Sequence, residues 1–399
     1  MSNQRKYELS NTATRCDIFC NVIDNYGDIG VCWRLAQQLA NEHGLTVRLW
    51  LDDLGSFARL CPETDAASEK QMRRGVEVRH WSREFPDVQP AELVIEAFAC
   101  KLPDCYIEAM VAQTPQAIWI NLEYLSAEDW VETHHKLPSP HPRLPLTKYF
   151  FFPGFTRQTG GLLIESDLFV LRDTFRGDKP RQQAYWRSIG LDMPPAGTLK
   201  ISLFAYENAA LLGLFDAWSA GMQAILCLVP EGRIVPQVGQ YFGDPAPRDG
   251  SDYTRGKLHV RVLPFVEQDR YDELLWACDV NFVRGEDSLV RALWAGRPFV
   301  WQIYPQHDAA HLKKLQSFLS LYKEQIGQPA GKATEDLCLA WNGSGEAGHA
   351  WPAFATDFNE INRCTQDWAR QLAENNLALN LLDFCGEIGR MRALKIEGQ

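Results

Sequence analysis

The sequence predicts an α/β protein with two doubly wound, Rossmann-like halves. Three observations lead there. Short, nearly continuous apolar runs recur in two series of five, stretches with helical apolar spacing lie between them, and a Pro- and Gly-rich passage separates the series. Strands buried on both faces read as unbroken apolar runs, and helices between them make the sheet parallel. Hydrophobic residues are 46% and charged residues 23% of the 399, which excludes a disordered chain and leaves enough apolar material for two cores.

The first series is CDIFCNVID (16–24), TVRLWLDD (46–53), VEVRHW (76–81), ELVIEAF (92–98) and QAIWINLEYL (116–125). After the first run, Trp33, Leu35, Ala36, Leu39 and Ala40 share one face of a helix. The passage 136–161, KLPSPHPRLPLTKYFFFPGFTRQTGG, favours loop and marks the crossing between halves. The segment 172–191 then reads as one helix opening the second half. The second series is TLKISLFAY (198–206), AILCLVP (224–230), KLHVRVLPF (257–265), ACDVNFVRG (277–285) and PFVWQIYP (298–305). Helices fit at 209–220, 268–277 and 288–295. Beyond residue 307 the chain is helical, with one helix at 307–325 and two more from about 351 to 394.

A net charge of −11 argues against general nucleic-acid affinity, which needs a basic face. No stretch approaches the 18 apolar residues of a membrane span, and MSNQRKYELSNTATR lacks the apolar core of a signal peptide, so a cytoplasmic protein is expected. The 11 cysteines are scattered without a Cys-x-x-Cys and read as reduced core thiols. His307 and His311 stand four apart around Asp308, but no third ligand is identifiable and no metal is expected.

In doubly wound sheets ligands bind beyond the carboxyl ends of strands, so the chemistry is expected in loops of both halves, meeting at a cleft. Three segments qualify. Asp24, Asn25, Tyr26, Gly27, Asp28 and Gly30 follow the first strand. The two glycines permit a tight turn, and carboxylates four apart can push one pKa upward to make a usable base; Asp28 as a plain helix N-cap is the alternative. The segment lacks the G-x-G-x-x-G fingerprint, so a dinucleotide oxidoreductase is not favoured. Next, Arg284, Gly285, Glu286, Asp287 and Ser288 join a strand to a helix. Arg284 and the helix N-terminus suit a phosphate, Asp287 or Ser288 a cap, and Glu286 a sugar or ribose hydroxyl. Finally, Phe204, Tyr206, Phe265 and Tyr304 all end strands of the second half, where a planar base can stack on a ring.

The segments DNYGDIGVCWRLAQQL (24–39), FAYEN (204–208), LPFVEQDRYDELLWACD (263–279) and RGEDSLVRALWAGRPFVWQIYPQ (284–306) resemble the EarP family, bacterial protein-arginine rhamnosyltransferases that modify elongation factor P. The resemblance covers almost the whole chain. It implies a GT-B glycosyltransferase with two Rossmann-like domains facing across a cleft: 1–160, completed by a C-terminal helix at about 375–399, and 161–374. It implies no metal or other cofactor, dTDP-β-L-rhamnose as donor on the second domain, elongation factor P as acceptor on the first, and inversion to an α-rhamnosyl arginine. By matching position, Asp28 is the general base, Asp24 its companion, and Glu286 a catalytic partner. Phe265 stacks on thymine, and Phe204, Tyr206, Gln268, Tyr304, Arg284, Asp287 and Ser288 line the donor site. Asn25, Tyr26, Gly27 and Gly30 form the loop near sugar and acceptor. The competing readings are a GT-B enzyme of another donor or acceptor, and a non-catalytic nucleotide-sugar-binding protein, which has no need of an Asp24/Asp28 pair.

Overall fold

The apolar runs become the inner strands of two sheets in the computed structural model, which describes residues 14–22, 26–305 and 310–397. Two units emerge, Met1–Leu163 with Asn375–Gln399, and Ile164–Glu374. In the first the order is β1 (Arg15–Cys20), α1 (Gly27–Asn41), β2 (Thr46–Leu51), α2 (Leu54–Leu60), β3 (Lys70–Arg73), β4 (Val76–His80), β5 (Leu93–Ala97), α3 (Asp104–Ala112), β6 (Ile118–Leu122), α4 (Trp130–His134), β7 (Pro138–Pro140) and β8 (Thr147–Phe151). The second contains α5 (Leu168–Gly177), α6 (Lys179–Ser188), β9 (Leu199–Leu203), α7 (Leu211–Ala220), β10 (Ile225–Pro230), α8 (Val235–Phe242), β11 (Asp252–Arg255), β12 (Leu258–Leu263), α9 (Gln268–Ala277), β13 (Val280–Arg284), α10 (Asp287–Ala295), β14 (Phe299–Gln302), α11 (Ala310–Ile326), α12 (Ala330–Trp341), α13 (Ala347–Thr356) and α14 (Phe358–Leu372). Helix α15 (Leu377–Glu397) returns to the first unit.

The first sheet runs β3-β4-β2-β1-β5-β6-β8-β7 and the second β11-β12-β10-β9-β13-β14. In each the inner strands are parallel, and the edge strands β3, β7 and β11 are antiparallel. Setting those edges aside, the first order is 3-2-1-4-5-6 and the second 3-2-1-4-5. The order reverses between β1 and β5 in one sheet and between β9 and β13 in the other, which are the places where such sheets bind ligands. In β1, Cys16, Ile18, Phe19 and Cys20 are fully buried, and Trp33, Leu35, Ala36 and Leu39 of α1 pack beneath. Phe19, Trp50, Tyr106 and Trp119 anchor one apolar cluster of this unit. All 11 cysteines are free, nine of them buried. No helix among the described residues is long and apolar enough to cross a membrane.

Several expectations change. The passage 136–161 is not a plain loop, because β7 and β8 lie inside it, β8 pairing with β6 and β7 with β8. Their backbones gain partners only at the sheet margin, which local composition does not reveal. The single helix expected at 172–191 is two, since the Asp178 carboxylate accepts from the Arg181 N–H and starts α6 afresh. Four helices follow α11 where two were expected. The two passages between units are stitched together within the first: the Leu162 N–H donates to the Asn375 carbonyl at 3.0 Å and the Leu377 N–H to the Leu162 carbonyl at 2.9 Å. Gly161 is required there, with φ of +80° and no room for a Cβ against the Asn375 carbonyl.

His135, just after α4, makes acid stability measurable. Its Nδ1 accepts from the Phe152 N–H at 3.1 Å, and its ring lies 4.6 Å from that of Phe151. Burial, helped by the neighbouring Lys136 charge, pushes its pKa down to about 4 from 6.5. The fold therefore prefers the neutral ring. That preference stabilises fully above pH 6.5 and is lost as the pH falls towards 4. With part of the ring exposed, the contribution is about 1–2 kcal/mol. Urea midpoints at pH 7.5 and 4.5 should show His135→Asn losing less stability on acidification than the parent chain by that amount.

Candidate functional site

In the second unit, the carboxyl ends of β9, β13 and β14 bring together most of the residues singled out above. Arg284 ends β13 and is only 7% exposed. Its guanidinium carbon lies 4.5 Å from the ring centre of Phe204 and 4.3 Å from that of Tyr206. These two rings follow β9, the neighbour of β13, so the sandwich is made by strand pairing. Arg284 Nε and Nη1 are buried without a hydrogen-bond partner among the described residues. A desolvated guanidinium with no paired carboxylate is costly unless a ligand supplies the anion.

The turn after Arg284 is held firmly. Gly285 takes φ of +65°, which favours glycine. Its N–H donates to the Gln302 carbonyl at 3.3 Å, and its carbonyl accepts from Trp301 Nε1 at 2.7 Å. Ser288 is not a cap: its Oγ accepts from the Arg284 N–H at 3.1 Å and donates to the Arg284 carbonyl. Nor is Asp287 a cap, since α10 begins there after Glu286 and no side chain caps it. The positive end of the α10 dipole faces the same turn and favours an anion there. Beneath the turn, Arg291 is buried against Asp272 at 2.6 Å and Glu165 at 2.6 Å, locking α10 to α9. Burial alone lowers the Arg291 pKa, but the two carboxylates carry it well above the usual guanidinium range.

Around this centre, Gln268 Nε2 donates to Asp287 Oδ2 at 3.4 Å, joining the starts of α9 and α10. The rings of Tyr206 and Tyr304 meet edge to face at 5.5 Å. Phe265 is half-buried in the turn between β12 and α9, three residues before Gln268. Glu286 pairs with Lys314 of α11 at 2.6 Å. Sequence reading missed three members. Lys314 carried no local signal. Gln302 accepts from the Tyr206 N–H at 2.9 Å, and its presence in an otherwise apolar strand was a clue. Tyr271 lies under the Phe204 ring, 5.7 Å between centres, and burial raises its pKa strongly.

In the first unit, α1 starts at Gly27 with Tyr26 as the preceding residue, and Asp28 is the second residue of the helix rather than its cap. The Gly30 N–H donates to the Tyr26 carbonyl at 2.9 Å, so the loop passes directly into the helix. Asp28 is 4% exposed and sits in the first turn, where the dipole favours a carboxylate. Cys20, at the end of β1, has its thiol pKa raised by Cys32, by burial and by the nearby Asp28 and Asp52 charges, which places Asp28 at the switch point of the first sheet. Asp24, Asn25 and His307 lie outside the described residues.

Comparison with known proteins identifies the family. A profile of the family described as Elongation-Factor P (EF-P) rhamnosyltransferase EarP matches residues 16–386. A protein-arginine rhamnosyltransferase of Pseudomonas putida KT2440 is 50% identical over 369 residues, 92% of this chain and 97% of the relative. One from Pseudomonas aeruginosa PAO1 is 46% identical over 92% of this chain and 98% of its own. A solved structure reported for EarP-mediated arginine glycosylation of translation elongation factor EF-P is 37% identical, covers 93% of this chain and 98% of its own, and superposes with a TM-score of 0.66. With two Rossmann-like units and a match along nearly its whole length, the chain belongs to the EarP family of EF-P rhamnosyltransferases, glycosyltransferases of the GT-B fold.

Proposed function

We propose that this chain transfers L-rhamnose from dTDP-β-L-rhamnose to one arginine side chain of elongation factor P, in the cytoplasm, with inversion at the anomeric carbon. The observation that carries the donor half of this reading is Arg284, a buried, ring-sandwiched guanidinium beside an uncapped helix N-terminus. A nucleoside diphosphate supplies what that site lacks. Its phosphates take the two orphaned N–H groups and the α10 amides, and its base takes a ring such as Phe265. The first unit takes the acceptor.

The chemistry follows from the residue types. A free arginine guanidinium stays protonated near neutral pH and is a poor nucleophile. Asp28 holds it along one edge and accepts one proton as the N–C bond to the anomeric carbon forms. Asp24 assists in orientation. The C–O bond to the β-phosphate breaks at the same time, and dTDP departs with the electron pair. Arg284 and the α10 N-terminus stabilise the growing phosphate charge, a role that in other enzymes falls to a divalent metal, so this reading calls for none. Glu286, steadied by Lys314, orients hydroxyls of the sugar.

Intact-mass analysis of elongation factor P, incubated with this chain and dTDP-rhamnose, tests the proposal. One added deoxyhexose, mapped to one arginine, is expected; an unmodified acceptor with consumed donor would point to another acceptor. Phe265→Ala should weaken dTDP binding by about 1–3 kcal/mol, the scale of base–aromatic stacking. Calorimetry with dTDP checks this, and an unchanged affinity removes Phe265 from the base site.

A further inference from the structure

The turn after β5 concentrates backbone strain. Five non-glycine residues among those described have positive φ, and three of them are Phe98, Ala99 and Lys101, at 56°, 54° and 56°. A bulky aromatic in this region is uncommon and persists only where its surroundings impose it. Here they do. The Phe98 N–H donates to the Leu122 carbonyl at 2.7 Å and the Cys100 N–H to the Ala97 carbonyl at 3.2 Å. The Lys101 N–H reaches Glu96 Oε1 at 3.3 Å, and the Cys100 thiol donates to the Phe19 carbonyl at 3.3 Å. Glu96 is itself buried and fixed by Trp119 Nε1 at 3.0 Å and Lys148 Nζ at 3.1 Å.

The strain turns the Phe98 ring flat against Tyr124, with centroids 4.5 Å apart and planes 18° from parallel. The register places this stack at the carboxyl ends of β5 and β6, next to the switch point of the first sheet. Phe19 pairs with Glu96 and Ala97 with Leu122, so the chain after β1, Phe98 and Glu123 leave the sheet side by side at its switch point. Asn121 donates from Nδ2 to Glu123 Oε1, which orients that carboxylate. Phe98 is 8% exposed, whereas Tyr124 and Glu123 are half-buried.

We propose that Tyr124, backed by Phe98 and rimmed by Glu123, is the platform that positions the acceptor arginine. The inference rests on the arginine-transfer reading above. A guanidinium is planar and weakly hydrated, so it stacks on a ring while its N–H groups point outward in the plane to carboxylates. Tyr124 supplies the face and Glu123 an acceptor at the edge. Lysine cannot use this geometry in the same way, so the platform also selects arginine over lysine.

The test compares the full chain with Tyr124→Ala, Tyr124→Phe and Glu123→Gln, using elongation factor P with its target arginine intact or changed to lysine. Calorimetry in the presence of dTDP measures binding, and initial rates measure transfer. Tyr124→Ala should raise the acceptor KM by about 10-fold and reduce the arginine-over-lysine binding ratio to near 1, the scale of a cation–π contact. Its dTDP affinity should stay within twofold. Tyr124→Phe should restore the ratio, since the ring face does the stacking. Glu123→Gln should raise the KM severalfold. A Tyr124→Ala chain that folds, binds dTDP and keeps both its acceptor KM and its discrimination overturns the platform. A parent chain that binds the arginine acceptor selectively but transfers nothing overturns the transfer reading instead, and the binding ratios still judge Tyr124. A parent chain that binds arginine and lysine forms alike overturns the platform outright.

Discussion

Asp28→Asn should abolish rhamnosyl transfer, with kcat falling by about 10²–10⁴-fold, while the chain folds and binds dTDP as before. The magnitude is that of a positioned general base. Asparagine keeps the size and one hydrogen-bonding oxygen of the carboxylate but can neither accept the proton nor balance the guanidinium charge. The fold should persist because asparagine fills the same space and can still hydrogen-bond, while the loss of the charge from the first turn of α1 costs a dipole interaction of about 0.3–1 kcal/mol. Single-turnover rates with elongation factor P, alongside dTDP calorimetry and a thermal midpoint, separate these effects. If the variant retains transfer within tenfold, the base lies elsewhere.

Arg284→Met should lower kcat/KM for the donor by about 10²–10³-fold without destabilising the chain. Two charge-assisted hydrogen bonds to phosphate, at about 1.5–3 kcal/mol each, account for the loss. The stability arm is the sharper one. A buried guanidinium that served structure would have a carboxylate partner, and its removal would strand that partner at about 3–5 kcal/mol. Arg284 has two orphaned nitrogens and two aromatic neighbours. Methionine retains contact with both rings and relieves the desolvation, so the thermal midpoint should hold or rise. Arg284→Lys should fall between, because ammonium keeps the charge but loses the planar fork and the stack. A methionine variant with unchanged donor kinetics would remove Arg284 from the diphosphate site. A large drop in its midpoint would mean that the guanidinium is structural.

The contrast between Arg284 and Arg291 shows where sequence reasoning stops. Both are arginines near α10, and nothing local distinguishes them. Arg291 is neutralised by Asp272 and Glu165, the latter 126 residues away in the chain, whereas the Arg284 guanidinium lies over the Phe204 and Tyr206 rings, with Nε and Nη1 lacking a hydrogen-bond partner among the described residues. Ser288 illustrates the same limit. Its place before an apolar helix reads as a cap, yet the hydroxyl is absorbed by the Arg284 backbone. For Asp28 the alternative reading as a plain cap falls away, because the helix extends back to Gly27 and makes it the second helical residue. The strained Phe98 turn left no trace in the sequence at all, since its φ values are imposed by Leu122, Ala97 and Glu96.

By itself the sequence determined the ten parallel strands that the two apolar series become, the helices that follow β1, β9, β12 and β13, and the chemical types assembled at strand ends. Those features are local: a strand buried on both faces must be apolar throughout, and a helix must repeat every 3.6 residues. The tertiary structure alone decided the edge strands β3, β7 and β11, β8 within the proline-rich passage, and which polar groups are satisfied internally. Short strands such as Lys70–Arg73 and Pro138–Pro140 are polar or proline-rich, and they exist because a neighbouring strand offers unpaired amides and carbonyls. Which guanidinium is paired and which is left for a ligand depends on contacts between distant segments, and these arise only when the chain has folded.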